Sequence, residues 1–139
     1  MPQTLVNTDV MKAGKPIVVI DDSAAVREYF EQVAKKAEIE CRVFESAEDS
    51  MAYLDSHAPG LIFLDIIMPD KDGLTFLQEL RRHPRHEHTP VVVVSSKDYA
   101  QDRMTAKELG VLDFVAKPVG TQAIRDLILK HRDPDEKTG

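Results

Sequence analysis

Four short apolar runs in this 139-residue chain each end in side chains able to do chemistry. Ile17-Val-Val-Ile20 runs into Asp21-Asp22, Leu61-Ile-Phe-Leu64 into Asp65, Val91-Val-Val-Val94 into Ser95-Ser96, and Phe114-Val-Ala116 into Lys117-Pro118. Brought together, Asp21, Asp22 and Asp65 would carry three negative charges, a costly arrangement unless cations offset it. The Lys117 ammonium offsets one. The remaining two match a divalent ion, and carboxylate oxygens with waters suit Mg²⁺ better than softer metals.

Convergence requires elements that carry these residues to one edge. Each run is continuous rather than alternating, which is how strands covered on both faces of a parallel sheet read. In open α/β sheets, ligands bind beyond the carboxyl ends of the strands, so one rim would collect the carboxylates, the hydroxyl and the ammonium. After Asp65, Pro69 and Gly73 signal a turn, and Leu74, Leu77 and Leu80 then repeat at helical spacing. Cys41-Arg-Val-Phe44 supplies a fifth strand.

The first helix is predicted over Ser23 to Lys36, with Val26, Phe30, Val33 and Ala37 on one face. The second begins at Ser46, where Ser46-Ala-Glu-Asp49 has capping-box form, and carries Ala47, Met51 and Leu54. The last shows Ile124, Leu127 and Ile128. From Asp98 to Leu109, Ala100, Met104, Ala106 and Leu109 make only a thin apolar stripe, which predicts a loosely held helix. Five strands alternating with five helices give a doubly wound α/β fold. Residues 1–14 read as a flexible leader, 15–130 as one domain and 131–139 as a polar tail.

The formal net charge of −6 and pI near 5.3 argue against direct nucleic-acid binding, which leaves a basic footprint. A single cysteine, Cys41, allows no internal disulfide, fits a reducing compartment and reads as a small buried hydrophobe. Met1 to Asp9 lacks the basic start and apolar core of a signal peptide, and no apolar run approaches the roughly 20 residues of a membrane span. These features place the protein in the cytoplasm. His83, His86 and His88 have spacing that can bind zinc or nickel. Two prolines and several arginines around them predict an exposed loop with adventitious binding only.

From Lys15 to Lys130, the order of acidic pair, Asp, Ser and Lys-Pro resembles the receiver domain of two-component response regulators. The spacings are similar too, thirty residues from Asp65 to Ser95 and twenty-two more to Lys117. The resemblance implies a flavodoxin-like parallel sheet of order 2-1-3-4-5. It implies that Asp65 accepts a phosphoryl group, with Mg²⁺, from a sensor histidine kinase or phosphotransfer protein. Asp22, Asp65 and the backbone carbonyl of Ile67 would bind the metal directly, and Asp21 partly through water. Lys117 and Ser95 would contact phosphoryl oxygens, and Lys117-Pro118 resembles the family's lysine followed by a cis proline.

Ser95 and Phe114 would form the switch pair, with output to a downstream protein or to an effector domain outside this chain. Ile67 and Lys97 would flank the path of the hydrolytic water. Neither can act as a base, which implies slow self-dephosphorylation. Such a chain catalyses only its own phosphorylation and dephosphorylation. Val119, where an aromatic often follows Lys-Pro, and Gly110-Val-Leu-Asp-Phe114 depart from the family pattern at the face its DNA-binding members use to pair.

Three other readings are weaker. An aspartyl-phosphate phosphohydrolase would want an acid two residues after its nucleophile, where this chain has Ile67. A flavin mononucleotide carrier would want a hydroxyl- and glycine-rich loop after the first strand, where Asp21-Asp22 would repel phosphate. A receiver-like module that only binds partners would not need the intact set of Asp, Ser and Lys.

Overall fold

Strands that are apolar at every position must be covered on both faces, and in this chain helices cover them. The computed structural model describes residues 14–133. Five strands, β1 (Ile17–Ile20), β2 (Cys41–Phe44), β3 (Leu61–Leu64), β4 (Val91–Ser95) and β5 (Asp113–Ala116), pair in parallel in the order β2-β1-β3-β4-β5. Between and after them run α1 (Ala24–Lys36), α2 (Ala47–Leu54), α3 (Gly73–Arg82), α4 (Ala100–Glu108) and α5 (Thr121–His131). This is the doubly wound flavodoxin-like fold expected from the sequence.

The strand period of two explains the continuous runs, because both faces are core. Ile17, Val19, Phe63 and Val92 pack with Phe30 of α1 and Ile124 of α5. Their neighbours Val18, Ile20, Leu64 and Val93 pack on the other face with Leu54, Leu77 and Ala106 of α2, α3 and α4. Three of the four strand pairs are level at their carboxyl ends, Ile20 beside both Phe44 and Leu64, and Ser95 beside Ala116, while β4 runs two residues past the Leu64–Val93 pair. The residues that follow therefore emerge on one rim. Among the described residues, no helix is long and apolar enough to cross a membrane.

Polar side chains fix where three helices begin. Ser23 accepts the Val26 N–H at 3.3 Å, Ser46 the Asp49 N–H at 3.0 Å, and Asp72 the Thr75 N–H at 3.3 Å. Each satisfies a backbone donor that the first helical turn leaves open. α4 has no side-chain cap, and it buries only Ala106. Met104, part of the expected stripe, is 59% exposed, so the apolar face of this helix is thinner still than its sequence implies.

The histidine segment departs from the exposed loop its prolines predict. Pro84–His86 is a single 3-10 turn that carries His86 into the interior, where it is fully buried. Its Nε2–H donates to the Leu54 carbonyl at 2.6 Å, and its Nδ1 accepts from the Thr89 hydroxyl at 2.9 Å. The carbonyl can only accept, so Nε2 carries a proton, and burial, which lowers the pKa of the ring, favours the neutral form in which Nδ1 accepts. Beside it, Arg81 donates to the carbonyls of Thr89, Leu109 and His86 at 2.7, 2.8 and 2.9 Å, tying α3 to two loops. His88 stays exposed.

Cys41 is half-buried on β2, and burial, with the Glu31 charge adding to it, pushes its thiol up to about 12. At the other end of the chain, the packed region runs past residue 130. α5 includes His131, and the Asp133 N–H donates to the Gly60 carbonyl at 2.8 Å while its carboxylate meets Lys15 at 3.2 Å. The leader up to residue 13 and the tail from residue 134 lie outside the described residues.

Candidate functional site

The backbone ladder continues one residue beyond β1, β3 and β5 and so sets the functional groups side by side. Asp21 N–H donates to the Phe44 carbonyl at 3.1 Å, Asp65 N–H to the Ile20 carbonyl at 2.9 Å, and Lys117 N–H to the Ser95 carbonyl at 2.9 Å. Asp21 and Asp65 are almost wholly buried, at 2% and 4% exposure, whereas Asp22 faces solvent. Oxygens of all three carboxylates lie within 4.8 Å of one another. The Lys117 ammonium sits between two of them, 2.7 Å from Asp21 Oδ2 and 3.3 Å from Asp65 Oδ2.

The second oxygen of each buried carboxylate is also held. Asp21 Oδ1 accepts the Ser23 N–H at 2.9 Å, and Asp65 Oδ1 accepts the Ile67 N–H at 2.9 Å. Burial nevertheless raises the Asp65 pKa; the Ile67 N–H bond and Lys117 oppose the rise, and the nearby Asp21 charge adds to it. Burial by itself would lower Lys117. Its contacts with Asp21 and Asp65 outweigh that and keep its pKa above the ordinary value, so it remains a cation. One ammonium among three carboxylates leaves an excess of negative charge, and the donor set is all oxygen. A hard divalent cation such as Mg²⁺ fits that set.

Ser95 is fully buried at the end of β4, and its hydroxyl accepts the Lys97 N–H at 3.1 Å. Phe114 is buried on β5. The side chains of Ile67 and Lys97 are both exposed at the rim. The Lys117–Pro118 peptide bond is cis. A groove lined by Ala25, Val26, Tyr29, Pro118 and Val119 opens between α1 and the loop after β5, with Lys117 at its edge.

Two contributors carry weaker sequence signals. Arg27 donates to the Asp21 carbonyl at 2.9 Å and so steadies the turn after β1. An arginine one turn into a helix has no distinguishing pattern. Gly73 reads as an ordinary breaker, yet a Cβ there would sit 2.4 Å from Ile66 Cα and 2.8 Å from the Asp65 carbonyl oxygen. α3 can therefore start directly against the backbone that carries Asp65, a close approach that only glycine permits.

With this geometry in place, likeness to known proteins is informative. Residues 17–129 match the family model of the response regulator receiver domain. The chain is 31% identical over 114 residues to a cyclic di-GMP phosphodiesterase response regulator of Xanthomonas campestris, covering 81% of this chain and 30% of that protein. It is 38% identical over 117 residues to a protein-glutamate methylesterase/protein-glutamine glutaminase of Syntrophus aciditrophicus, covering 80% and 33%. The chain thus spans about a third of the length of these curated relatives. A response regulator receiver protein of Pseudomonas putida superposes with a TM-score of 0.78 at 30% identity, covering 85% of this chain and 98% of that one.

Proposed function

Since this chain belongs to the response regulator receiver family, we propose that it is a phosphorylation-dependent signalling switch whose phosphoacceptor is Asp65. One observation carries the assignment: a buried carboxylate at a strand end shares a lysine with Asp21 and lies within 4.8 Å of a second and third carboxylate. The donor is a phosphohistidine on a sensor histidine kinase or phosphotransfer protein. An Asp65 oxygen attacks phosphorus, the P–O bond forms as the P–N bond breaks, and the imidazole leaves and takes up a proton.

Asp22, Asp65 and the Ile67 carbonyl would hold Mg²⁺, with Asp21 acting in part through water. The ion supplies positive charge to the transferred oxygens, which is most of what this chemistry asks of a protein. Lys117, already against Asp65, pairs with a second phosphoryl oxygen, and the Ser95 hydroxyl donates to a third. As in the receivers this chain resembles, Ser95 would move toward the phosphoryl group with its loop, and Phe114 would repack into the space this alters. The output is a change in the face made by α4, β5 and α5, read by a downstream protein or an effector domain. The protein acts in the cytoplasm. The receiver domain itself turns over no metabolite.

Ile67 and Lys97 set the lifetime of the phosphorylated form. Ile67 offers no hydrogen bond to orient an attacking water, and the Lys97 ammonium can screen the phosphoryl group, so self-dephosphorylation is slow. Incubation with Mg²⁺ and acetyl phosphate should add one phosphoryl group at Asp65, found by mass mapping, and a chelator should prevent it. Uptake by Asp65→Asn at the wild-type rate would refute the site. In the same assay the label should decay faster in an Ile67→Asn, Lys97→Glu double variant. An unchanged or slower decay would overturn the lifetime reading while leaving the phosphoacceptor in place.

A further inference from the structure

Arg103 occupies a place that neither the phosphoacceptor site nor the core explains. It projects from α4 with its guanidinium carbon 4.7 Å from the centroid of the Phe114 ring. The same guanidinium makes a two-pronged contact with Asp98, Nε to Oδ1 at 3.1 Å and Nη2 to Oδ2 at 2.8 Å. A planar fork paired with a carboxylate is held in a defined orientation, and its free face stacks on an aromatic ring. Asp113, which precedes Phe114 on β5, adds a second negative charge near Arg103.

The position of Asp98 gives the contact its meaning. It lies three residues after Ser95, in a loop whose Lys97 N–H is already bonded to the Ser95 hydroxyl. A displacement of Ser95 is therefore carried through a short, bonded stretch of backbone to the Asp98 carboxylate. α4 offers little resistance to such a pull, because it buries only Ala106 and has no side-chain cap. Phe114, at 9% exposure, has Arg103 as its polar cover.

We propose that Arg103 is a positioning residue: tied to Asp98 and stacked on Phe114, it links the loop that senses phosphorylation to the aromatic that reports it. In the resting state the Asp98–Arg103 pair holds the Phe114 ring in one packed position. When Ser95 is drawn toward the phosphoryl group, Asp98 moves with its loop, the guanidinium leaves the ring, and Phe114 and α4 readjust together. The inference rests on Asp65 being the phosphoacceptor, and its test keeps the two apart.

The test is ¹⁹F NMR of the full chain labelled with fluorophenylalanine, with the Phe114 resonance assigned by its loss in Phe114→Leu. Spectra are compared with and without Mg²⁺ and beryllofluoride, and Asp65 labelling by acetyl phosphate is measured in every variant. The wild-type Phe114 resonance should shift on beryllofluoride addition. In Arg103→Met and Asp98→Asn, labelling of Asp65 should persist while the Phe114 shift falls to roughly half or less. The double variant should match the more affected single variant, as expected when two residues act through one contact, and Arg103→Lys should restore part of the response. A wild-type Phe114 shift in both single variants, or additive losses in the double, overturns the link while the labelling upholds the phosphoacceptor. Absence of label in the wild type overturns both readings.

Discussion

α3 and α4 lie on the same face of the sheet and flank the same rim, yet they are held in opposite ways. α3 buries Gly73, Leu74, Phe76, Leu77 and Leu80, is capped by Asp72, and is fastened at its far end by Arg81. α4 buries one alanine, begins without a side-chain cap, and keeps Tyr99 and Met104 exposed. One side of the rim is thus a fixed wall against which Asp65 is set, and the other rests on little more than buried Ala106 and the Arg103–Phe114 stack. A switch needs both: a site rigid enough to align groups around the reacting phosphorus, and a neighbouring element whose displacement costs little.

Core truncation is the severest way to break this comparison. Leu77→Ala removes a fully buried side chain from the wall and should cost about 2–5 kcal/mol in urea denaturation, the usual range for a cavity of this kind. Met104→Ala, on the loose side, should stay within about 0.5 kcal/mol of wild type. Comparable losses at the two positions would mean that α4 is packed as firmly as α3.

Acid should loosen the fixed side through His86. Burial lowers the pKa of this ring below its ordinary 6.5, the bond to Leu54 opposes the fall, and His83, Arg85 and Arg81 add to it. The unfolded chain therefore binds the proton more readily than the folded one. Stability contributed by the neutral ring is complete above pH 6.5 and declines as pH falls below it, until the lower folded pKa is reached. The slope from this group is at most about 1.4 kcal/mol per pH unit. Urea midpoints between pH 7.5 and 5.5 should fall more for wild type than for His86→Gln, and equal falls would dismiss the effect.

How much of this was legible in the sequence follows from the reach of each signal. The strands and the Asp21, Asp22, Asp65, Ser95 and Lys117 rim are local patterns, apolar runs ending in polar groups, and the parallel register brings those ends together. The α3 repeat and the Ser46 cap are local too. What the sequence hides is fixed by partners far along the chain. His86 looks exposed among prolines and arginines until the Leu54 carbonyl, thirty-two residues away, gives its ring a buried partner. Arg81 reads as a surface charge because its carbonyl partners carry no side-chain signature. Gly73 reads as a turn former because nothing local announces how closely Ile66 will approach. Met104 errs the other way, since helical spacing counts an apolar residue toward the core whether or not the sheet extends beneath it.

The weakness of α4 can itself be corrected, and the smallest predicted effect comes from doing so. Tyr99 stands at the N-cap with extended backbone (φ −94°, ψ 134°), the conformation a capping serine adopts, and it is 53% exposed. Tyr99→Ser therefore gives up little packing and adds an oxygen able to accept an N–H from the first turn of α4. Asp102, three residues on, completes the spacing of a capping box. The expected gain is about 0.5–1 kcal/mol in urea denaturation, with slower hydrogen exchange confined to the start of α4. Such a result would bring the two helices closer in stability without touching Asp98, Arg103 or the carboxylates. Unchanged exchange, or a loss of stability, would mean that the Tyr99 ring holds α4 through contacts of its own and that the missing cap is not what makes this helix loose.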